Sequence, residues 1–186
     1  MWLLQEWSDE PITVSVLAER MGLRLSSVSD AMRKLSADGF VNHTPYTPVT
    51  LTETGRAHAI DMVRRHRLIE TFLVETLGYE WDEVHEEAEN LEHAVSDLMI
   101  QRMDNFLGNP TRDPHGDPIP QADGSIQQPE AWLLHEYQVG DRVVIERIWD
   151  GNADLLQYLS AQNIGVGTEL ELVPGPPFTD TIEVRT

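Results

Sequence analysis

Apolar residues recur along this chain with two periods, and the change from one to the other divides it. Val14, Leu17, Ala18 and Met21 stand at i, i+3, i+4 and i+7, the buried face of an α-helix that Thr13 can cap and Gly22 can end. After Leu23, Arg24 and Leu25, Ser26 is a cap for a second helix, where Val28, Ala31, Met32 and Leu35 repeat the spacing. Two amphipathic helices joined by so short a turn predict a helix-turn-helix. Phe40-Val41 and Val49-Thr50-Leu51 are β-prone pieces around a Pro-containing turn, His43 to Pro48, which predicts a two-stranded wing. Thr52 then caps a long helix that Gly78 stops. A second long helix is expected from Trp81, with Asp82 and Glu83 in its first turn and a seam of Val84, Ala88, Leu91, Val95 and Leu98. That seam must bury itself against another helix and suits a dimer interface.

Beyond it the helical period stops. Residues 107 to 130 hold Pro110, Pro114, Gly116, Pro118, Pro120, Gly124 and Pro129, the composition of a linker or an extended strap. From 131 to 186, β-branched and polar residues alternate around a helical piece, Ala153 to Gln162, which suggests a small β-barrel. The fold class is therefore mainly α with small β.

Composition narrows the function. At 186 residues and 40% hydrophobic the chain can bury a real core. It has no apolar run long enough to span a bilayer and no secretory leader, so the cytoplasm is the expected compartment. With no cysteine, any metal must be held by nitrogen and oxygen. The net charge of −19 argues at first against nucleic acid. Its distribution reverses that objection: residues 1 to 67 hold eight basic and eight acidic side chains, and the remainder carries the whole excess. The outward face of the second helix of the helix-turn-helix offers Ser26, Ser27, Ser29, Asp30, Arg33 and Lys34, small and polar first and basic further on. These are candidates for a major groove.

Six ligand-type residues stand at helical spacings in the middle third: His66 and Glu70, then His85, Glu89, Glu92 and His93. At about 100° per residue the last four share roughly one quadrant beside the apolar seam, and His66 with Glu70 supplies a second wall. A solvated acidic helix would carry some of these residues. Three histidines interleaved with carboxylates on two consecutive helices exceed what composition gives. A di-metal oxidase would place Glu three residues before a ligand histidine, but Asp82 and Asn90 precede His85 and His93. The metalloenzyme or metal-storage reading is the minor alternative, and no small organic substrate is expected. Ligands on separate elements beside a DNA-reading unit instead suit a sensor.

In combination these segments resemble the diphtheria toxin repressor family, which includes iron-dependent repressors and manganese transport regulators. The resemblance rests on Leu17-Ala18-Glu19-Arg20, Val28-Ser29, Leu51-Thr52-Glu53-Thr54-Gly55-Arg56, His66-Arg67-Leu68-Ile69-Glu70, Val84-His85-Glu86-Glu87-Ala88, Glu92-His93 and Pro114-His115-Gly116-Asp117-Pro118-Ile119-Pro120. It implies a winged helix-turn-helix DNA-binding domain over 1–60, a helical dimerisation and metal-binding domain over 61–125, and a partial SH3-like barrel over 126–186. It also implies a homodimer that binds a double-stranded DNA operator when loaded with a pair of metal ions per subunit, Mn2+ or Fe2+, and represses metal-uptake genes without being an enzyme.

Carried over, the match makes Glu89, Glu92 and His93 ligands of a regulatory site and His66, Glu70 and His85 ligands of a neighbouring ancillary site. In the manganese regulators' layout, His66 belongs to the regulatory pair. A further regulatory ligand, Asp or Met, lies in the family on a segment before the position of Met1, and Asp150 and Asp154 are loose matches for ligands from the C-terminal domain. Iron-type members carry a cysteine at the position of Glu89; the oxygen donor here suits manganese.

Overall fold

Caps set the helices of the first unit, Met1–Met62. In the computed structural model, which describes residues 1–7, 10–44, 47–179 and 181–186, α1 (Trp2–Trp7) is followed by α2 (Val14–Arg20). Thr13 accepts a hydrogen bond from the Val16 amide at 3.2 Å, as its place before α2 predicts. The next helix, α3 (Leu25–Ala37), does not use Ser26 as its cap. The Arg24 carbonyl already accepts the Ser27 and Val28 amides, so the helical ladder opens upstream and Ser26 lies exposed in the first turn. Ala31, which the spacing put on the buried face, is also exposed. Ile12, Leu17, Ala18, Val28, Met32, Val41 and Val49 form the core of this unit.

The wing pairs β1 (Val41–Asn42) with β2 (Thr50–Leu51), antiparallel, Val41 opposite Leu51. Of the turn His43 to Pro48, Pro45 and Tyr46 lie outside the described residues. Thr52 accepts from the Gly55 amide at 3.0 Å and donates to the Gly39 carbonyl at 2.6 Å, which starts α4 (Glu53–Phe72) against the wing. A Cβ at position 55 would run into the Phe40 carbonyl, so only glycine permits that approach.

The second unit, Val63–Thr186, takes the later turns of α4. The helix widens into a π turn over Leu73–Leu77 and stops at Gly78, whose φ of 74° is left-handed. The long helix expected from Trp81 is broken. Residues 81–83 form a turn, α5 runs only Val84–Glu92, and Ser96 accepts from the Met99 amide to start α6 (Asp97–Phe106). Leu98 consequently leaves the expected seam and is exposed, while Ile100 and Met103 continue the core with Leu68, Ile69, Leu73, Val84, Ala88 and Ile119.

Ile119 belongs to the Pro- and Gly-rich stretch, part of which is a buried strap. Asp113 and residues 115–120 are buried, and Arg64 and Arg67 of α4 donate to the carbonyls of Pro120 and Pro118, each at 2.7 Å. The three arginines that balanced the charge of residues 1–67 are all engaged within this unit. Arg64 pairs with Asp104 at 2.6 Å, Arg65 with Asp97 at 2.6 Å, and Arg67 with Asp117 at 3.1 Å. In the C-terminal part, β3 (Arg142–Val144), β4 (Glu169–Pro174) and β5 (Ile182–Arg185) make an antiparallel sheet in that order. Asn152 caps α7 (Ala153–Ala161), and Leu156, Leu170 and Leu172 are buried. Among the described residues no helix is long and apolar enough to cross a membrane.

Candidate metal centre

His66 and Glu70 stand one turn apart on α4, so both side chains leave the same face. Glu70 is fully buried, and its Oε1 lies 3.0 Å from His66 Nε2. From α5, His85 brings Nδ1 to 3.2 Å from His66 Nε2 and 3.3 Å from Glu70 Oε1. Asp150, from the segment ahead of α7, reaches the same nitrogen at 3.3 Å. One donor atom from each of the four residues falls within 4.8 Å of all the others. Donors about 2.1 Å from a common cation stand roughly 3 to 3.4 Å apart around octahedral or tetrahedral positions. The four contacts within the set, 3.0 to 3.3 Å, are of that size and the atoms are nitrogen and oxygen, so the set fits a divalent cation.

Hydrogen bonds between imidazole and carboxylate tie the cluster together. Burial works against a charged His66, but its hydrogen bonds to Glu70 and Glu92 outweigh it and carry the pKa up to about 9. For His85, the bonds to Asp150 and then Glu70 lead, and the pKa reaches about 10. Burial pushes Glu70 the other way, yet the two imidazoles keep it well below the usual carboxylate range. Burial works against a charged Asp150 too, but its bond to His85 together with the charges of the His85 and His115 imidazoles outweighs it, and its pKa is lowered as well.

The other predicted ligands form a rim. Glu92 Oε2 lies 2.8 Å from His66 Nδ1, and its Oε1 lies 3.2 Å from His93 Nε2. Glu89 comes within 3.8 Å of His85 Nε2. The side chains of Glu89 and His93 are 66% and 76% exposed, against 16% for Glu92. Asp154 lies exposed in the first turn of α7, outside the cluster that holds Asp150.

Two residues beyond the six converge on the far side of Glu70. His115 donates from Nε2 to the Trp81 carbonyl at 2.7 Å and turns Nδ1 toward Glu70 Oε2, 3.8 Å away. Glu70 Oε2, His115 Nδ1 and Asp113 Oδ2 are buried and have no hydrogen-bond partner among the described residues. One ligand atom from each of Glu70, Asp113 and His115 lies within 4.8 Å of the others, and three buried, unpartnered atoms of this kind fit a cation also. Burial and then the charge on Glu70 push Asp113 well above the ordinary carboxylate value, a strain that a cation would relieve. The strap is held in place by Arg67, 3.6 Å from Asp113, and by the tight pairing of Arg147 with Asp117. In the sequence this stretch has the composition of a strap, and Pro114-His115-Gly116-Asp117 stands only among the motifs of the family resemblance, with no ligand role. Its signal was the alternation of Asp and His around Gly116, where φ is 85° and a Cβ would strike the Glu146 carbonyl.

In the first unit, α3 presents Ser26, Ser27, Asp30, Arg33 and Lys34 to solvent, and Ser29 is half-buried. Arg33 is ion-paired with Asp30 one turn earlier.

Three family models match successive stretches of the chain. They are the N-terminal DNA-binding domain of iron-dependent repressors over residues 1–49, the metal-binding and dimerisation domain of iron-dependent repressors over 52–121, and the FeoA domain over 133–186. The iron-dependent repressor IdeR of Mycobacterium tuberculosis is 38% identical over 117 residues, 63% of this chain and 50% of that protein. The chain thus spans about half the length of that relative. The diphtheria toxin repressor of Corynebacterium efficiens is 32% identical over 167 residues, 84% of this chain and 73% of the relative. A solved structure of a manganese-dependent transcriptional repressor in complex with manganese is 48% identical; it superposes with a TM-score of 0.91 over 98% of this chain and 84% of that one. The chain belongs to the iron-dependent repressor family, of which the diphtheria toxin repressor is a member.

Proposed function

We propose that the chain is a metal-activated transcriptional repressor that binds a palindromic DNA operator as a homodimer, with manganese as the activating ion. The observation that carries this reading is the convergence of His66 and Glu70 from α4, His85 from α5 and Asp150 from the segment before α7. A cation there would supply a common centre of positive charge and would compete with protons for the imidazole nitrogens. The same α4 begins in the first unit and carries the ligands in the second. Ligands on separate elements make binding energy depend on one arrangement, which is what a population shift requires.

His66 is the link between the inner and rim residues. With Nδ1 held by Glu92, its Nε2 stays aimed at Glu70 and His85, so Glu92 fixes the tautomer of an inner donor while remaining within reach of His93. We assign Glu89, Glu92 and His93 to regulation, and His66, Glu70 and His85, with Asp150, Asp113 and His115, to the enclosed centre. Ser26, Ser27, Ser29, Asp30, Arg33 and Lys34 of α3 are the groups offered to the major groove. Met99 and Phe106, exposed seven residues apart on one side of α6, support a second copy as partner. The cytoplasm is the compartment that this function requires.

Manganese is favoured by the absence of thiolate, by the hard oxygen of Glu89 and by the 48% identity to a repressor described as manganese-dependent. Ferrous iron is the second reading, favoured by the two imidazoles of the enclosed centre and by the iron-dependent relatives. DNA selected from a random pool by the full chain, then titrated with protein in manganese, in ferrous iron without oxygen, and in chelator, tests both. Affinity that is the same in all three conditions defeats the proposal. Activation by iron at a lower free concentration than manganese replaces manganese by iron.

A further inference from the structure

The burial of Arg64, Arg65 and Arg67 removes them from any DNA-facing surface and changes the charge of the reading unit. Residues 1–62 keep five basic side chains, Arg20, Arg24, Arg33, Lys34 and Arg56, against eight acidic ones. Arg33 is paired with Asp30, and the guanidinium of Arg56 sits 4.6 Å from the centre of the Trp2 ring. Among the described residues, Arg20, Arg24 and Lys34 are the cations of this unit without a carboxylate partner or a ring beneath them. A surface that binds phosphates in dilute salt does so by releasing counterions, and affinity then falls steeply as salt rises. This unit, negative in sum, must instead keep cations between its own carboxylates and the duplex.

The second unit repeats the pattern. It holds twenty-four acidic and eight basic side chains, and of those eight Arg64, Arg65, Arg67 and Arg147 are consumed by ion pairs in the interior and Arg142 by an exposed one with Glu171. Lys34 is the single lysine of the chain. At about 0.1 M salt the screening length is about 10 Å, so crowded carboxylates repel one another and strain the fold. At about 1 M it is about 3 Å, and that repulsion is largely gone. Carboxylates also keep a surface soluble better than added lysines do.

We propose that this chain works at molar salt: its fold gains stability as potassium chloride rises into the molar range, and its DNA affinity does not fall there. The second half rests on the repressor reading above; the first half does not. The test uses the full chain with manganese and DNA selected from random pools at low and at high salt, and follows binding by fluorescence anisotropy. Affinity is expected to stay within about tenfold from about 0.5 to 3 M KCl, whereas a loss above about a hundredfold overturns the proposal and leaves the repressor reading standing. Thermal unfolding in chelator is expected to rise by about 10 °C or more between about 0.1 and 2 M KCl; an unchanged or lower midpoint also overturns it. If manganese and chelator give the same DNA binding at every salt concentration, the repressor reading fails and the melting curves alone decide. Glu19 and Asp38 are exposed, and the double variant Glu19→Lys, Asp38→Lys should gain at least about tenfold in affinity at about 0.2 M KCl and acquire a falling salt dependence. A variant indistinguishable from the parent chain counts against the proposal.

Discussion

The enclosed donors around Glu70 and the rim donors on α5 have the same chemistry and opposite surroundings. Glu70 is fully buried and each of its oxygens faces a different set, His66 and His85 on one side and His115 on the other. Glu89 and His93 stand mostly in water. A buried donor set is built into the fold, because leaving its charges unpaired is costly, and it therefore influences stability with or without metal. An exposed set has little hold on the fold, and its contribution is confined to what binds it. On the proposed reading, that difference assigns the enclosed set to structure and the rim to switching.

Glu70→Gln should break that comparison most strongly. An amide has one acceptor and no charge, so His66 and His85 lose their common counter-ion while the Oε2 side loses an anionic donor. Breaking a buried charged arrangement from one side costs about 3 kcal/mol, and manganese affinity should fall by more than about a hundredfold. Denaturant unfolding in chelator and isothermal titration with manganese measure the two effects. A variant that keeps both its stability and its affinity would remove Glu70 from the centre of the site.

Acidity probes the enclosed set next. The raised pKa values of His66, about 9, and His85, about 10, mean that their bonds to carboxylates, Glu70 and Glu92 for His66 and Asp150 and Glu70 for His85, stabilise the fold in chelator fully below about pH 6.5. That contribution is lost as pH climbs through the folded values. The lowered pKa of Glu70 makes its own bonds to His66 and His85 complete above about pH 4.5 and loses them as pH falls through about 2. Chelated protein should therefore draw most from this cluster between pH 4.5 and 6.5. Manganese must displace the imidazole protons, so its apparent affinity should rise with pH up to about 9, by up to about a hundredfold per unit if two protons leave. Affinity flat from pH 7 to 9 would exclude His66 and His85 as ligands.

What the sequence disclosed follows from how locally each feature is determined. Thr13, Thr52 and Gly78 are read correctly because a cap or a stop needs only its neighbours. The pairing of His66 with Glu70, and of both with His85, follows from helical spacing plus one helix contact. The break between α5 and α6 was hidden, because Leu98 continues the apolar period although Ser96 restarts the helix there. Asp113 and His115 were hidden for a different reason. Nothing in a Pro- and Gly-rich stretch says which way its side chains face, and the strap is fixed by Arg64 and Arg67 reaching it from some fifty residues away. Asp150 was legible only as one of two loosely matching acids, and burial distinguished it from Asp154.

The smallest effect on the fold is expected at the rim, and it sharpens the comparison. Glu89→Ala and His93→Ala each remove a mostly exposed side chain whose contacts are single and solvated, so unfolding in chelator should shift by no more than about 0.5 kcal/mol. Glu92→Gln stands between the two regions. It weakens the 2.8 Å contact to His66 Nδ1 from a partly buried position and should cost about 1 kcal/mol. In all three variants the dimer should persist by light scattering, while manganese-dependent DNA binding is lost. Destabilisation of the Glu89 or His93 variant as large as that of Glu70→Gln would place the rim in the structural centre. Unchanged metal-dependent DNA binding in all three would leave the enclosed donors as the whole of the switch.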